Sequence, residues 1–183
     1  MTPFDYLSVL ISIVLGLGLT ELLSSVHRLV QARDRVTFHW LPLLWSGLIF
    51  VALVQWWWAA FGLHRQLEWN FFFFLLILLI PVLLYLAAAS VLPTVEPEQE
   101  YDLRAYYFSN HHWFFWIVAA TSLMECLRAV LYHDWQAALL NGLAATLLGS
   151  LALVRNPTYH AITTPVIAVL LILFIVLETL RLV

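Results

Sequence analysis

Acidic and basic side chains within long apolar segments are the residues of this sequence best suited to chemistry. Glu21, Ser25 and Arg28 follow one another at four- and three-residue intervals, and Glu125 and Arg128 are three residues apart. These spacings place each group on one face of a helix, where an acid and a base can pair. An ionisable group at mid-bilayer costs at least about 2.5–3.5 kcal/mol and is tolerated mainly where ions or protons move. We therefore expect all five side chains to line a path for a small ion or for protons.

Histidine is the second residue type that is suited to chemistry. Imidazole binds transition metals and changes charge near physiological pH, so a cluster at one membrane face can sense pH or hold a metal or haem. No metal-ligand spacing such as H-x-x-x-H is present, and adjacent histidines on a helix face different directions. Interfacial hydrogen bonding is the favoured interpretation, with pH sensing and metal or haem binding as alternatives, and no cofactor is predicted. The histidines expected at one face are His27, His39, His111, His112 and His160.

Catalytic motifs give little support for an enzyme. Glu21, Ser24 and His27 are neighbours on one helix, and neither a nucleophile elbow nor a phosphate-binding glycine loop accompanies them. The sequence therefore favours a function other than catalysis.

The composition requires a membrane as the surrounding medium. Of 183 residues, 63% are hydrophobic and 10% are charged, against about 45–50% and about 25% in soluble domains. A chain of this size cannot bury so much apolar surface within itself. The net charge is −3 and all eight basic residues are arginines, which argues against a nucleic-acid surface. The lipid bilayer is the expected partner, and soluble enzymes and nucleic-acid binders are excluded.

The elements that must position these residues are transmembrane helices. A helix needs about 20 apolar residues to cross a bilayer, so the chain is predicted to be all-α, one transmembrane domain over 1–183 with about six spans. A polar loop is predicted at 93–110. The pair Glu178 and Arg181 is interpreted as a helix end reaching the head groups. The predicted spans are 4–30, 38–63, 70–92, 112–132, 136–154 and 162–182.

Arginines and tryptophans indicate how the spans are oriented. Basic residues near span ends are retained in the cytoplasm, and five of the eight arginines fall in the first, third and fifth connections. This distribution predicts that both termini are periplasmic. Trp56, Trp57 and Trp58 end the second span, where indole rings anchor a helix at the interface.

Small residues in the fifth span predict close helix packing. Ala138, Gly142, Thr146 and Gly149 follow small-xxx-small spacing, which lets two helix backbones approach. The contact can lie within one chain or between two protomers.

Three segments carry a resemblance to known proteins. They are 4–16, beginning Phe4-Asp5-Tyr6-Leu7, then His39-Trp40-Leu41-Pro42, and Asp102-Leu103-Arg104-Ala105-Tyr106-Tyr107-Phe108 ahead of His112-Trp113-Phe114-Phe115. Together they resemble a group of small bacterial multi-pass membrane proteins with no assigned activity. The resemblance implies a bacterial inner-membrane location.

Three functions follow from these observations. The leading hypothesis is a homo-oligomeric channel or transporter for a small ion or protons. The alternative is a non-catalytic scaffold or accessory subunit that packs against other membrane subunits. The third is a haem- or metal-binding membrane protein.

Overall fold

The computed structural model of the chain describes residues 3–60, 62, 71–95 and 99–182, with side chains described at 7–60, 62, 71–72, 74–95 and 99–177. Of these described residues, 87% are helical, and they form six helices. This content confirms the predicted all-helical fold class. The helices are α1 Pro3–Gln31, α2 Trp40–Ala60, α3 Phe71–Ser90, α4 Leu103–Leu131, α5 Trp135–Leu153 and α6 Pro157–Leu182.

Five described segments are long and apolar enough to cross a membrane. In α3, the apolar segment Phe74–Ser90 is shorter than the others. Large apolar side chains cover much of the outer surface, with Phe72 81% and Leu139 75% exposed. Such a surface suits hydrocarbon as the surrounding medium. The five segments are Leu7–Gln31, Trp40–Ala60, Leu103–Leu131, Trp135–Leu153 and Pro157–Leu177.

The predicted polar loop 93–110 is wrong over its second half, because α4 begins at Leu103. Asp102 ends the loop as an N-cap: its Oδ1 accepts hydrogen bonds from the backbone N–H groups of Arg104 at 2.8 Å and Ala105 at 3.2 Å. The first turns of α4 bury Leu103 and Tyr107 despite the polar residues between them. The fourth helix therefore starts well before residue 112.

The sixth helix also starts earlier than residue 162. Pro157 is its first residue, and the Asn156 side chain accepts hydrogen bonds from the backbone N–H groups of Thr158 at 2.9 Å and Tyr159 at 3.3 Å. A proline suits this position because the first N–H of a helix has no partner within the helix. The Asn-Pro pair thus starts a helix.

A short pair of strands joins two connections at one end of the bundle. Strands β1 (Val36–Thr37) and β2 (Tyr101–Asp102) pair in parallel, Val36 opposite Tyr101 and Thr37 opposite Asp102. This bridge is an addition to the predicted all-α architecture. It places the α1–α2 and α3–α4 connections side by side.

The core is aromatic where α2 meets α4. The Trp45 ring packs edge-on against Phe114, with centroids 5.6 Å apart, and against Phe115, with centroids 5.0 Å apart. Trp45 and Phe115 are 2% and 0% exposed. Such edge-to-face pairs add to the stabilisation from burial alone and fix the rotation of α2 relative to α4.

Candidate functional site

A cavity of about 510 Å³ lies between the helices. Its walls come from α2, α3, α4, α5 and α6, and most of the lining side chains are apolar. The lining begins at Trp45 near the start of α2 and reaches Gly62 and Tyr132, just past the ends of α2 and α4. The cavity is therefore elongated along the helix axes and extends to the end of the bundle opposite the β1–β2 bridge.

A charged pair lies at that end of the cavity. Oε2 of Glu125 accepts a hydrogen bond from Nε of Arg128 at 2.8 Å, and Nη2 of Arg128 is 2.8 Å from the same oxygen. The other oxygen, Oε1, accepts a hydrogen bond from Nε1 of Trp56 at 2.7 Å. Both carboxylate oxygens are thus bonded, and the Glu125 side chain is 12% exposed. Because Trp56 belongs to α2, the carboxylate also ties α2 to α4.

One buried amide beside this pair has no hydrogen-bond partner among the described residues. This donor is Nε2 of Gln55, and Gln55 lines the cavity together with Glu125. Two other polar lining residues already bond within their own helices: Asn141 donates to the Ala137 carbonyl at 3.0 Å, and Thr121 donates to the Ile117 carbonyl at 3.1 Å. Gln55 therefore keeps a free donor at the cavity.

A second polar cluster is buried near the other end of the cavity. Nε2 of His160 donates to the Val154 carbonyl at 2.7 Å, which leaves Nδ1 of the neutral ring to accept the Tyr107 hydroxyl at 2.8 Å. His160 and Thr164 are each 0% exposed. The Tyr107 hydroxyl also faces the Trp45 and Thr164 side chains. Nε1 of Trp45 and Oγ1 of Thr164 make no hydrogen bond of good geometry with any described residue.

The predicted residues of α1 form a separate site. Nη2 of Arg28 donates to Oε1 of Glu21 at 3.1 Å and to Oγ of Ser25 at 2.9 Å, and Ser25 donates to the same Glu21 oxygen at 3.3 Å. Glu21 is 37% exposed. No described residue of α1 lines the cavity. The structure thus brings Glu21, Ser25 and Arg28 together, and Glu125 with Arg128, but it keeps the two groups apart.

Two of the five predicted histidines meet. The rings of His111 and His160 are 5.5 Å apart and both side chains are buried. Nδ1 of His111 bonds the Phe108 carbonyl at 2.9 Å. Among the described residues no group of three histidine, cysteine, aspartate or glutamate side chains has the arrangement of a metal site.

The remaining three histidines lie apart from this pair. His27 is exposed on α1, and Nδ1 of His112 bonds the Ala152 carbonyl of α5 at 3.1 Å. His39 precedes α2, where burial and then the Arg104 guanidinium lower its pKa below the usual value, opposed by Asp102.

The small residues of α5 pack mainly within the chain. Ala138 is buried, and its carbonyl accepts the Cys126 thiol of α4 at 3.3 Å. A Cβ added at Gly142 would meet Sγ of Cys126 at 3.6 Å, and one at Gly149 would meet Trp116 at 3.9 Å. Thr146 is exposed and donates to carbonyls of its own helix. This stripe therefore serves the α4–α5 contact.

Sequence reasoning missed three residues of these sites. Trp56 was expected only to anchor α2 at the interface, and Trp45 and Tyr107 were not singled out. The pairing of Trp56 with Glu125 joins residues 69 positions apart, and no local pattern signals it. The side chains of the third pair, Glu178 and Arg181, lie outside the described part of the chain. No protein-family model, no curated protein and no solved structure matches this chain.

Proposed function

We propose that this protein is a multi-pass membrane protein that binds a small lipophilic molecule inside its helical bundle. The cavity carries the proposal. Its volume of about 510 Å³ is within the range of small-molecule sites, about 300–1,000 Å³, and its apolar walls with a few polar groups at one end match their usual composition. A ligand with an apolar body and one polar end fits this distribution.

The bound molecule lies along the helix axes in this proposal. On α2 the lining runs from Trp45 to Ala60, which corresponds to about 22 Å of helix. The polar groups Gln55, Glu125 and Arg128 occupy the end that reaches the surface of the bundle. The polar part of the ligand therefore sits near the head groups of the bilayer, and its apolar part points towards Trp45.

The proposal includes six membrane crossings in a bacterial inner membrane. Helix α3 has 20 residues and so spans about 30 Å, the thickness of the hydrocarbon core. The parallel pairing of β1 with β2 supports an even number of crossings between the α1–α2 and α3–α4 connections. The arginine distribution favours periplasmic termini.

Binding of three probes that share an oleoyl-type chain tests the function. The purified protein in detergent is titrated with radiolabelled 1-oleoylglycerol, oleate and oleylamine. We expect saturable binding of at least one probe, and a loss of at least tenfold in affinity in Ala52→Phe and Ala144→Phe, because each variant fills part of the cavity, one from α2 and the other from α5.

The matched control is Ala89→Phe, at an exposed position of α3 outside the cavity lining. It should bind as the unmodified protein does. Monodispersity and helix content establish that each variant is folded. Absence of saturable binding for all three probes, or unchanged binding in both folded cavity-filling variants, would refute the proposed function.

Ion or proton conduction is a second candidate function. The observation that favours it is the presence of titratable groups near both ends of the cavity, Glu125 and Arg128 at one and Tyr107 with His160 at the other. Proton flux into proteoliposomes should fall in Glu125→Gln if this carboxylate belongs to a path along the cavity, and Glu21→Gln, whose site on α1 lies apart from the cavity, is the control. Unchanged flux in Glu125→Gln would remove this mechanism. Native purification of a homo-oligomer would support conduction, whereas co-purifying foreign subunits would support an accessory role.

A further inference from the structure

We propose that the cavity selects an electrically neutral amphiphile whose polar end accepts a hydrogen bond, and that the Gln55 amide donates that bond. The inference rests on the proposed ligand-binding function and names the chemical class of the ligand. It follows from the charge of the lining, from its unused hydrogen-bonding groups and from their position.

The charged groups of the lining neutralise each other. Glu125 and Arg128 are the only charged residues among the described lining, and they are joined at 2.8 Å. An anionic ligand competes with Glu125 for Arg128, and a cationic ligand competes with Arg128 for the same carboxylate. Either exchange leaves one ion of the pair without its partner in a site of low dielectric, which is strongly unfavourable. The lining therefore favours a ligand without net charge.

The polar end of the cavity contains an unused hydrogen-bond donor. Trp56 donates to Glu125, and the side chains of Asn141 and Thr121 donate to carbonyls of their own helices. Nε2 of Gln55 is buried, and it has no partner in the described part of the chain. A buried donor without a partner is costly, and a ligand that supplies an acceptor removes that cost. Ester, carbonyl and ether oxygens are such acceptors.

The position of Gln55 fixes the direction in which the ligand lies. Gln55 is adjacent in sequence to Trp56, whose indole reaches Glu125, so the free amide belongs to the polar end of the cavity. Trp45, ten residues earlier on α2, is about 15 Å further along the helix. The walls between these levels include Leu48, Ile49 and Ala52. An acceptor group at Gln55 therefore leaves room for a chain that extends along apolar walls towards Trp45.

The selectivity is measured with the neutral ester 1-oleoylglycerol, the anion oleate and the cation oleylamine. We expect the neutral ester to bind at least tenfold more tightly than either charged probe. The variant Gln55→Leu should lower the affinity for 1-oleoylglycerol about fivefold and leave unchanged the weaker affinity for oleylamine, whose ammonium group offers no acceptor. Gln31→Leu, at an exposed position at the end of α1, is the matched control and should change none of them.

The ratio of the affinities for 1-oleoylglycerol and oleylamine is measured in one preparation. Partial unfolding lowers both affinities equally and so leaves this ratio unchanged. Gln55→Met serves as a second variant with an unbranched side chain of similar size. Tighter binding of oleate or oleylamine than of the ester would overturn the selectivity while cavity binding stands. An unchanged ratio in both Gln55 variants would overturn the role of the amide. Failure of all three probes to bind would instead refute the proposed function itself.

Discussion

Two glutamates with similar sequence surroundings have different environments in the folded chain. Each lies in an apolar helix and pairs with an arginine on the same helix, Glu21 with Arg28 and Glu125 with Arg128. Glu21 is 37% exposed, whereas Glu125 is 12% exposed and also accepts a hydrogen bond from another helix. Exposed ion pairs contribute little to stability, but a buried carboxylate that loses its partner is costly. Stability should therefore depend on the pair in α4.

Removal of the Arg128 guanidinium tests this dependence. In Arg128→Ala the carboxylate of Glu125 stays largely buried and, among the residues that the structure describes, keeps only its hydrogen bond from Trp56. We expect the free energy of unfolding in detergent to fall by about 2–3 kcal/mol, the cost of leaving a buried charged group under-bonded. Thermal unfolding followed by circular dichroism measures the loss.

The control for this variant is Arg155→Ala, which removes an exposed arginine between α5 and α6. Its effect should stay within about 0.5 kcal/mol, as for most surface substitutions. Equal stability of the two variants would contradict a stabilising role for the Glu125–Arg128 pair.

At the scale of elements, the positions of most helices could be predicted from the sequence, but some of their ends could not. Four acidic residues and two prolines between residues 93 and 102 predicted a loop, which was extended to residue 110. A local signal for the helix was present: Asp102 can cap it, and Leu103, Tyr107 and His111 recur every four residues. The helical period outweighs the mean polarity because only one face of these first turns is buried.

The sequence could not predict which helices contact each other. Small residues in α5 predicted close packing, but whether the partner was α4 or another protomer depends on how α5 is rotated in the bundle. The same is true of Trp56, whose bond to Glu125 requires α2 and α4 to be neighbours at the same depth. Periodicity predicts which face of a helix is polar, but not which helix it faces.

The N-cap of α4 gives a prediction at this scale. In Asp102→Ala, the backbone N–H groups of Arg104 and Ala105 lose their side-chain acceptor. We expect a loss of about 1 kcal/mol in the free energy of unfolding. Asp102→Asn should restore most of it, since asparagine is an equally good N-cap residue.

Glu100→Ala is the control for the loss of an acidic side chain, because Glu100 is exposed two residues before the cap. Thermal unfolding in detergent should show little change in this variant. A loss in Glu100→Ala equal to that in Asp102→Ala would indicate that local charge, and not capping, stabilises the start of α4.

For the whole molecule, the number of crossings depends on α3. Five described segments are long and apolar enough to cross a membrane, and α3 contributes the shorter segment Phe74–Ser90. If α3 crosses, the α1–α2 and α4–α5 connections lie on opposite sides. If it does not, they lie on the same side.

The parallel bridge between Val36–Thr37 and Tyr101–Asp102 joins the connections that flank α2 and α3. Both connections therefore lie on one side of the membrane, so either both helices cross or neither does. Since α2 is long and apolar enough to cross, we expect α3 to cross as well.

Cysteine labelling measures this arrangement. In a Cys126→Ala background, single cysteines replace Asp34, Gln136 or Arg155, which are exposed positions in or beside three different connections. A membrane-impermeant maleimide added to intact cells should label Gln136→Cys, whereas Asp34→Cys and Arg155→Cys should react only after permeabilisation. The reverse pattern would keep six crossings and invert the orientation, because arginine counts set the direction and not the number of spans. Labelling of Asp34→Cys and Gln136→Cys from the same side would contradict six crossings, since a chain with five would place α3 along the membrane surface.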